Sequence, residues 1–244
     1  MSRNKQRNKE LSLTLVKGRL SLFLDSRAPR EVQDAVQRLG VEAIMLPPYS
    51  KLPTPVAAHP DLLLHDLGGR LLVYRDYYEA NRELFAHISV IFTDHAAGDA
   101  YPRDVGMDAL VLGETVFCLP EHTCAEILQN RRVVPVRQGY AACSALKVSE
   151  NAIVTADSTI ALAAEKCGIG VLKIRPGHIV LDGYDYGFIG GTAFRMEDTL
   201  YFAGDLSLHP DGERIADFCA LHGMRTHSLV PGLPLQDLGF LKYN

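Results

Sequence analysis

Cys143, His59 and a scattered set of aspartates are the residues of this 244-residue chain whose chemistry could be joined. A cysteine attacks as a thiolate, which requires a depressed pKa. A histidine carries protons near neutral pH. Carboxylates brought together favour a cation between them. The positions share one property: each lies in a connection just ahead of, or between, apolar strand patterns. His59 and Asp61 sit in His59-Pro60-Asp61, and Asp104 in Tyr101-Pro102-Arg103-Asp104, with Asp108 just after. Cys143 and Ser144 form a third connection. Asp185 and Tyr186 fall in a fourth, the stretch 177–191, which carries five glycines. Asp237 lies near the C-terminus. Each also has a plainer role. Cys143, among small residues, is also read as an inert packed thiol. His59 can orient a loop, the aspartates can form Asx turns, and Tyr184 and Tyr186 can be packing or rim contacts.

The elements that must position these residues repeat along the chain. One unit recurs five times: a short strand, a turn, a second apolar strand ending near an acid, a helix and a third strand. In the first unit the strands are Leu13–Val16, Leu20–Leu24 and Val41–Leu46, with a helix from about Pro29 to Leu39 stopped by Gly40. The second has strands Leu62–Leu64, Leu71–Tyr74 and Ile88–Phe92, a Gly68-Gly69 hairpin turn, and a helix Tyr77–Ala86. The third has Ala109–Leu112, Val116–Leu119 and Val133–Val136, with a helix ending at about Leu128. The fourth has Ala145–Val148, Ala152–Thr155 and Val171–Ile174, with a helix Thr159–Lys166. The fifth has Ala193–Met196, Leu200–Phe202 and Thr226–Leu229. Phe23, Val73, Phe117, Val154 and Phe202 mark the second strands at intervals of about 37 to 50 residues. Asp25, Asp76, Asp157 and Asp205, with Glu121 in the third unit, stand at matching places and are read as helix N-caps. Five ββαβ units that each leave one face bare must share a core. Set radially, they predict an α/β class and a five-fold pseudo-symmetric α/β propeller, with the first strand of each unit at the centre. The connections named above then meet at one mouth, and the glycines of 177–191 let the chain cross near a crowded axis.

Composition narrows the function classes. With 47% apolar residues, the chain can bury a sizeable core. A net charge of -4 argues against a nucleic-acid partner. Residues 1–10 read as a basic, disordered tail and 11–244 as one domain. No apolar run suits a membrane span, and no signal-peptide pattern opens the chain. Five cysteines without paired spacing fit a reducing, cytoplasmic setting and no disulfide framework. No cofactor motif and no zinc-type spacing occur. The oligomeric state has no sequence signature.

The repeat order resembles the pentein fold, the α/β propeller of guanidino-group-modifying enzymes such as the arginine and agmatine deiminases and the amidinotransferases. The stretches Gly139-Tyr140-Ala141-Ala142-Cys143-Ser144, Gly183–Gly191 and Gln236-Asp237-Leu238-Gly239 are similar to an uncharacterised bacterial family, described only as a domain of unknown function with this fold. The resemblance implies a cysteine thiolate attacking a guanidinium or amidinium carbon, a histidine moving protons, and carboxylates holding the planar cation. The nucleophile of the established enzymes lies close to the C-terminus. Here Leu233 to Asn244 has no cysteine, so the site implied for this chain is in a different rotational register. Cys143 attacks, His59 and Asp237 complete the catalytic set, and Asp61, Asp104, Asp108, Ser144, Asp185 and Tyr186 surround a small cationic ligand. A non-catalytic binding module on the same fold is the alternative. A divalent-metal site from His59 and the aspartates is a third reading.

Overall fold

The computed structural model describes residues 20–243. In chain order, β1 (Ser21–Asp25), α1 (Arg30–Arg38) and β2 (Glu42–Leu46) are followed by the single turn α2 (Pro60–Leu63). Next come β3 (Leu64–Asp66), β4 (Leu71–Tyr74), α3 (Arg75–Ala80) and β5 (Val90–Thr93). The third group is β6 (Leu110–Leu112), β7 (Thr115–Cys118), α4 (Ala125–Leu128) and β8 (Arg132–Pro135). The fourth is the turn α5 (Ala141–Ser144), β9 (Ala145–Ser149), β10 (Ala152–Thr155), α6 (Ser158–Lys166) and β11 (Gly170–Lys173). The last is β12 (Ala193–Met196), β13 (Thr199–Phe202), α7 (Gly212–Leu221), β14 (Arg225–Ser228) and β15 (Leu241–Tyr243).

These strands make five three-stranded sheets with one plan. The middle strand is antiparallel to one neighbour and parallel to the other, which returns after a helix. In the first sheet the antiparallel neighbour of β1 is the C-terminal β15, with Leu22 opposite Lys242. The Leu13–Val16 strand and the basic tail lie outside the described residues. The antiparallel strands form the inside of the assembly: β15 touches β3 and β12, and β6 touches β9. The first and last described strands therefore meet in one sheet, and the α/β repeat has the five-fold plan that the pattern implies. Among the described residues, no helix is long and apolar enough to cross a membrane.

Local chemistry explains the elements. α1 buries Val32, Ala35 and Val36 on one face, places Glu31 in its first turn and Arg38 in its last, and ends at Gly40 with φ 73°. Asp157 caps α6, accepting from Thr159 N at 2.7 Å and Ile160 N at 2.8 Å. Asp205 caps the 3-10 turn Leu206–Leu208, accepting from Ser207 N at 3.0 Å. The caps expected of Asp25, Asp76 and Glu121 fail. No side chain caps α1, so Asp25 is free for a tertiary role, and Asp76 sits inside α3, bonded to Tyr49 Oη at 2.7 Å. The helix expected over Tyr77–Ala86 breaks at Asn81, whose amide bonds back to Tyr77 O at 2.9 Å, and a 3-10 turn Arg82–Phe85 follows. In the fifth unit Leu229 N bonds Phe202 O as Ile174 N bonds Thr155 O, so Phe202 matches Thr155 and the repeat marker shifts by one residue.

One correction positions the site. The strand expected over Leu62–Leu64 begins only at Leu64. Pro60 instead starts a helical turn, in which His59 O accepts from Leu62 N at 3.1 Å and Leu63 N at 3.2 Å. The same device, a single turn before an inner strand, recurs at Ala141–Ser144 and Gly190–Thr192. These turns tuck side chains inward at the N-terminal ends of the inner strands.

Candidate functional site

His59 is fully enclosed, at 3% exposure, between two carboxylates. Its Nδ1 lies 3.3 Å from Asp25 Oδ2 and its Nε2 3.6 Å from Asp237 Oδ1. Burial disfavours the imidazolium, but the Asp237 and Asp25 carboxylates on either side outweigh it and lift the His59 pKa to about 10. Asp25 responds in the opposite sense. Burial would raise it, yet hydrogen bonds from His59 and Arg27 hold it down at about 2. Arg27 contributes through Nε at 2.9 Å and Nη2 at 2.7 Å.

The Asp237 side chain is lodged by glycines of the 177–191 stretch. A Cβ on Gly191 would stand 1.8 Å from Asp237 Oδ1, and one on Gly187 would stand 2.5 Å from Asp237 Cβ. Val180 pairs with Gln236 as an isolated parallel bridge, and Phe188 N donates to Asp237 Oδ2 at 2.8 Å. The glycines thus let one loop close over a carboxylate contributed from near the other end of the chain.

Beside this ion pair lies a second acid group without a cation. The Cys143 thiol donates to Asp61 Oδ2 at 2.7 Å. Asp108 Oδ1 accepts from Ala142 N at 2.6 Å and Cys143 N at 3.2 Å, fixing the turn that carries the sulfur. Asp61, Asp108 and Cys143 are all buried. Burial raises the Asp61 pKa to about 6, with His59 pulling it down and Asp237 pushing it up. Burial, then Asp61, raises Asp108 well above the carboxylate range. Burial and the charges of Asp108, Asp61 and Asp237 raise the Cys143 thiol. Asp61 Oδ1, Asp108 Oδ2, Asp237 Oδ1 and His59 Nε2 have no hydrogen-bond partner among the described residues. His59 Nε2 and Asp237 Oδ1 face each other, which leaves the Asp61 and Asp108 oxygens as the unmet acceptors, a place prepared for a donor. One atom each of Asp61, Asp108 and Cys143 lie within 4.8 Å of one another, a sulfur and oxygen set that could hold a divalent ion after losing its protons.

Above the sulfur is a cavity of about 90 Å³, lined by His59, Cys143 and Asp237 and by Tyr140, Tyr184, Tyr186, Phe188, Val56, Leu62 and Leu181. The Tyr140 and Tyr186 rings each stand 6.2 Å from that of Phe188. Its volume matches about three waters. Electron-rich aromatic faces around the sulfur, with the Asp237 carboxylate in the lining, favour a small cation.

The other expected residues are placed differently. Asp104 is buried and bonded by the Tyr140 hydroxyl, so it supports the cavity wall. Ser144 turns toward a separate cavity of about 320 Å³. Asp185 is exposed and is not among the cavity-lining residues, whereas Tyr186, 42% exposed, forms the rim. Asp25 is the member that sequence reasoning assigned to a helix cap. Arg27, two residues on, is the available hint, because a cap carboxylate has no need of a guanidinium partner.

The sequence model of a family of unknown function (DUF6873) matches residues 23–241. No curated protein matches the chain in sequence. In three dimensions it is similar to a cysteine-to-serine variant of C. jejuni agmatine deiminase with substrate bound, at TM-score 0.54 and 12% identity, over 86% of this chain and 87% of that one. A cysteine-to-serine variant of DDAH from Pseudomonas aeruginosa complexed with citrulline aligns at TM-score 0.52 and 11% identity, over 86% and 91%. SxtG, an amidinotransferase from Microseira wollei in the saxitoxin biosynthetic pathway, aligns at 0.52 and 10%, over 86% and 88%. At these identities the likeness shows the fold, that of the pentein superfamily.

Proposed function

We propose, from the premise that this chain belongs to the DUF6873 family, that it binds a small planar cation of the amidine or guanidine class above Cys143 and transfers the cation's carbon to the sulfur. The observation that carries this reading is the Cys143–Asp61 contact of 2.7 Å: the sulfur lines an aromatic cavity, and Asp61 and Asp108, next to the sulfur but outside that lining, have no cation partner. An amidinium entering the cavity brings N–H donors to the unmet oxygens and positive charge to the acid group. Its charge lowers the thiol pKa and favours ionised Asp61 and Asp108.

Asp61 then has the role of base. It takes the thiol proton as the sulfur lone pair forms the S–C bond and the C=N π electrons move onto nitrogen. His59 is the acid. Its Nδ1–H is held by Asp25, and its Nε2–H, loosely opposed by Asp237, passes to the departing nitrogen as the C–N bond breaks. A water deprotonated by the now neutral His59 adds to the same carbon. The sulfur leaves with its bonding pair and regains the proton from Asp61. One C–N bond is exchanged for one C–O bond, and one water is consumed. The agmatine deiminase and amidinotransferase among the structural neighbours make this ligand class a natural one for the fold.

The raised thiol pKa favours a second reading, binding without turnover. Alkylation by 2-chloroacetamidine and by neutral 2-chloroacetamide at pH 7, followed by peptide mapping, separates the cases. We expect the cationic reagent to label Cys143 at least ~100-fold faster, because it supplies its own charge to the site. Equal rates would overturn cation recognition. Tight guanidinium binding that survives Cys143→Ala, with no labelling of the native protein, would establish the binding-only reading.

A further inference from the structure

Cys143, Asp61 and Asp108 reach one point from three separate connections, and a donor set of that kind has a use apart from amidine chemistry. One donor atom of each lies within 4.8 Å of the other two. A tetrahedral ion bonded to sulfur at ~2.3 Å and to oxygen at ~2.0–2.2 Å holds its donor atoms roughly 3.5 Å apart. Small side-chain shifts would therefore close the group on one ion. The three residues are 3%, 8% and 0% exposed, so the donors are withdrawn from bulk water.

The surroundings fix these donors in place. Asp108 Oδ1 accepts from Ala142 N at 2.6 Å and Cys143 N at 3.2 Å, so one carboxylate both joins the group and orients the turn that carries the sulfur. Its Oδ2 has no hydrogen-bond partner among the described residues, and neither has Asp61 Oδ1. Asp61 is anchored through its backbone, whose N–H donates to Gly239 O at 3.1 Å. Buried acceptors left open on a fixed backbone call for a donor or a cation. The thiol proton now bridges Cys143 Sγ and Asp61 Oδ2. An ion would take that bridging place, and the proton would leave with water.

The structure also provides a route and a free coordination position. Asp61 lines a separate cavity of about 850 Å³, which reaches the carboxylates without passing the tyrosines. The sulfur lines the aromatic cavity, where water has room to complete a coordination shell. His59 is outside the set, because Asp25 and Asp237 oppose its two ring nitrogens at 3.3 and 3.6 Å. One thiolate with two carboxylates suits a thiophilic tetrahedral ion, and suits poorly magnesium or calcium, which take oxygen shells.

We propose that Cys143, Asp61 and Asp108 form a binding site for one thiophilic divalent ion such as Zn2+, with water completing the shell from the aromatic cavity. Ion binding does not rest on the amidine reading. Its consequence, a Cys143 masked from electrophiles, concerns the same sulfur.

Titration of the metal-free full chain with Cd2+, whose bond to a thiolate absorbs in the ultraviolet, tests the site. We expect one ion per chain, a charge-transfer band and a Kd below about 10 μM. Zn2+ should displace the Cd2+, and excess Mg2+ should not. Cys143→Ala should abolish the band, whereas Cys167→Ala, at a cysteine outside the group, should leave it unchanged. Asp61→Asn and Asp108→Asn keep an acceptor in place and should each weaken binding about tenfold or more. Absence of the band, its survival in Cys143→Ala, or native affinity in both asparagine variants would overturn the proposal. Saturating Zn2+ should also slow labelling of Cys143 by 2-chloroacetamidine about tenfold or more, and undiminished labelling would overturn the proposal as well. Cd2+ binding by a metal-free protein that 2-chloroacetamidine does not label would support the ion site and sink the amidine reading. Fast labelling without Cd2+ binding would sink the ion site and leave the amidine reading standing.

Discussion

Two buried acid groups lie side by side in this molecule and behave oppositely. In Asp25–His59–Asp237 an imidazole stands between two carboxylates, and both His59 and Asp25 are driven toward their charged forms. In Asp61–Cys143–Asp108 no cation intervenes, and all three groups are driven toward their neutral forms. Residue type and burial are nearly the same. The difference lies in whether a positive charge is built in. The first group is a finished ion cluster and the second an unfinished one, whose missing charge is what a ligand would supply.

The comparison breaks most visibly at His59. His59→Gln keeps hydrogen-bonding capacity but removes the charge, leaving Asp237 buried without neutralisation and Asp25 with Arg27 alone. A loss of about 3–5 kcal/mol in denaturant unfolding is expected, as for a buried pair deprived of one partner. A loss below 1 kcal/mol would show that the histidine is not the internal cation.

The pH dependence of stability should separate the two groups next. His59 is raised to about 10 from its ordinary 6.5, so its contribution is complete below pH 6.5 and is lost as pH rises through 10. Asp25, lowered to about 2 from 3.8, contributes fully above pH 3.8 and loses that contribution as pH falls through 2. Asp61, raised to about 6, costs stability once it ionises, so that cost disappears as pH falls from about 6 toward 3.8. Unfolding free energies measured from pH 4 to pH 10 should decline toward the alkaline end. His59→Gln should flatten that decline. An alkaline limb that survives in the variant would assign the effect elsewhere.

The smallest expected effect sharpens the unfinished group. Asp61→Asn removes one of the negative charges that raise the thiol but leaves an acceptor beside it. The pH midpoint of Cys143 alkylation by iodoacetamide should move down, and the rate at pH 8 should rise severalfold. An upward shift would mean that Asp61 acts on the sulfur as a base more than as a repelling charge.

How much of this was legible in the chain follows from range. The ββαβ repeat was readable because turn glycines such as Gly68 and Gly69, at φ 89° and 88°, and short apolar strands are local signals. The positions of Cys143, His59, Asp61, Asp108 and Asp237 in connections pointed to one mouth, and these side chains do come together. Asp25 was misplaced because a carboxylate after a strand and before a helix looks like a cap, while its partner His59 is 34 residues away. Asp104 and Asp185 share that placement in connections, yet one props a tyrosine and the other faces solvent, because position in a connection does not fix where a side chain turns.

By itself the sequence determined the repeat, the fold that five such units must share, and which connections could carry chemistry, since hydrophobic period and turn chemistry act within a few residues. Only the tertiary structure decided protonation. Whether a carboxylate is a cap, half of an ion pair or an acid waiting for a cation depends on charge and burial supplied by residues far along the chain, and these act through space.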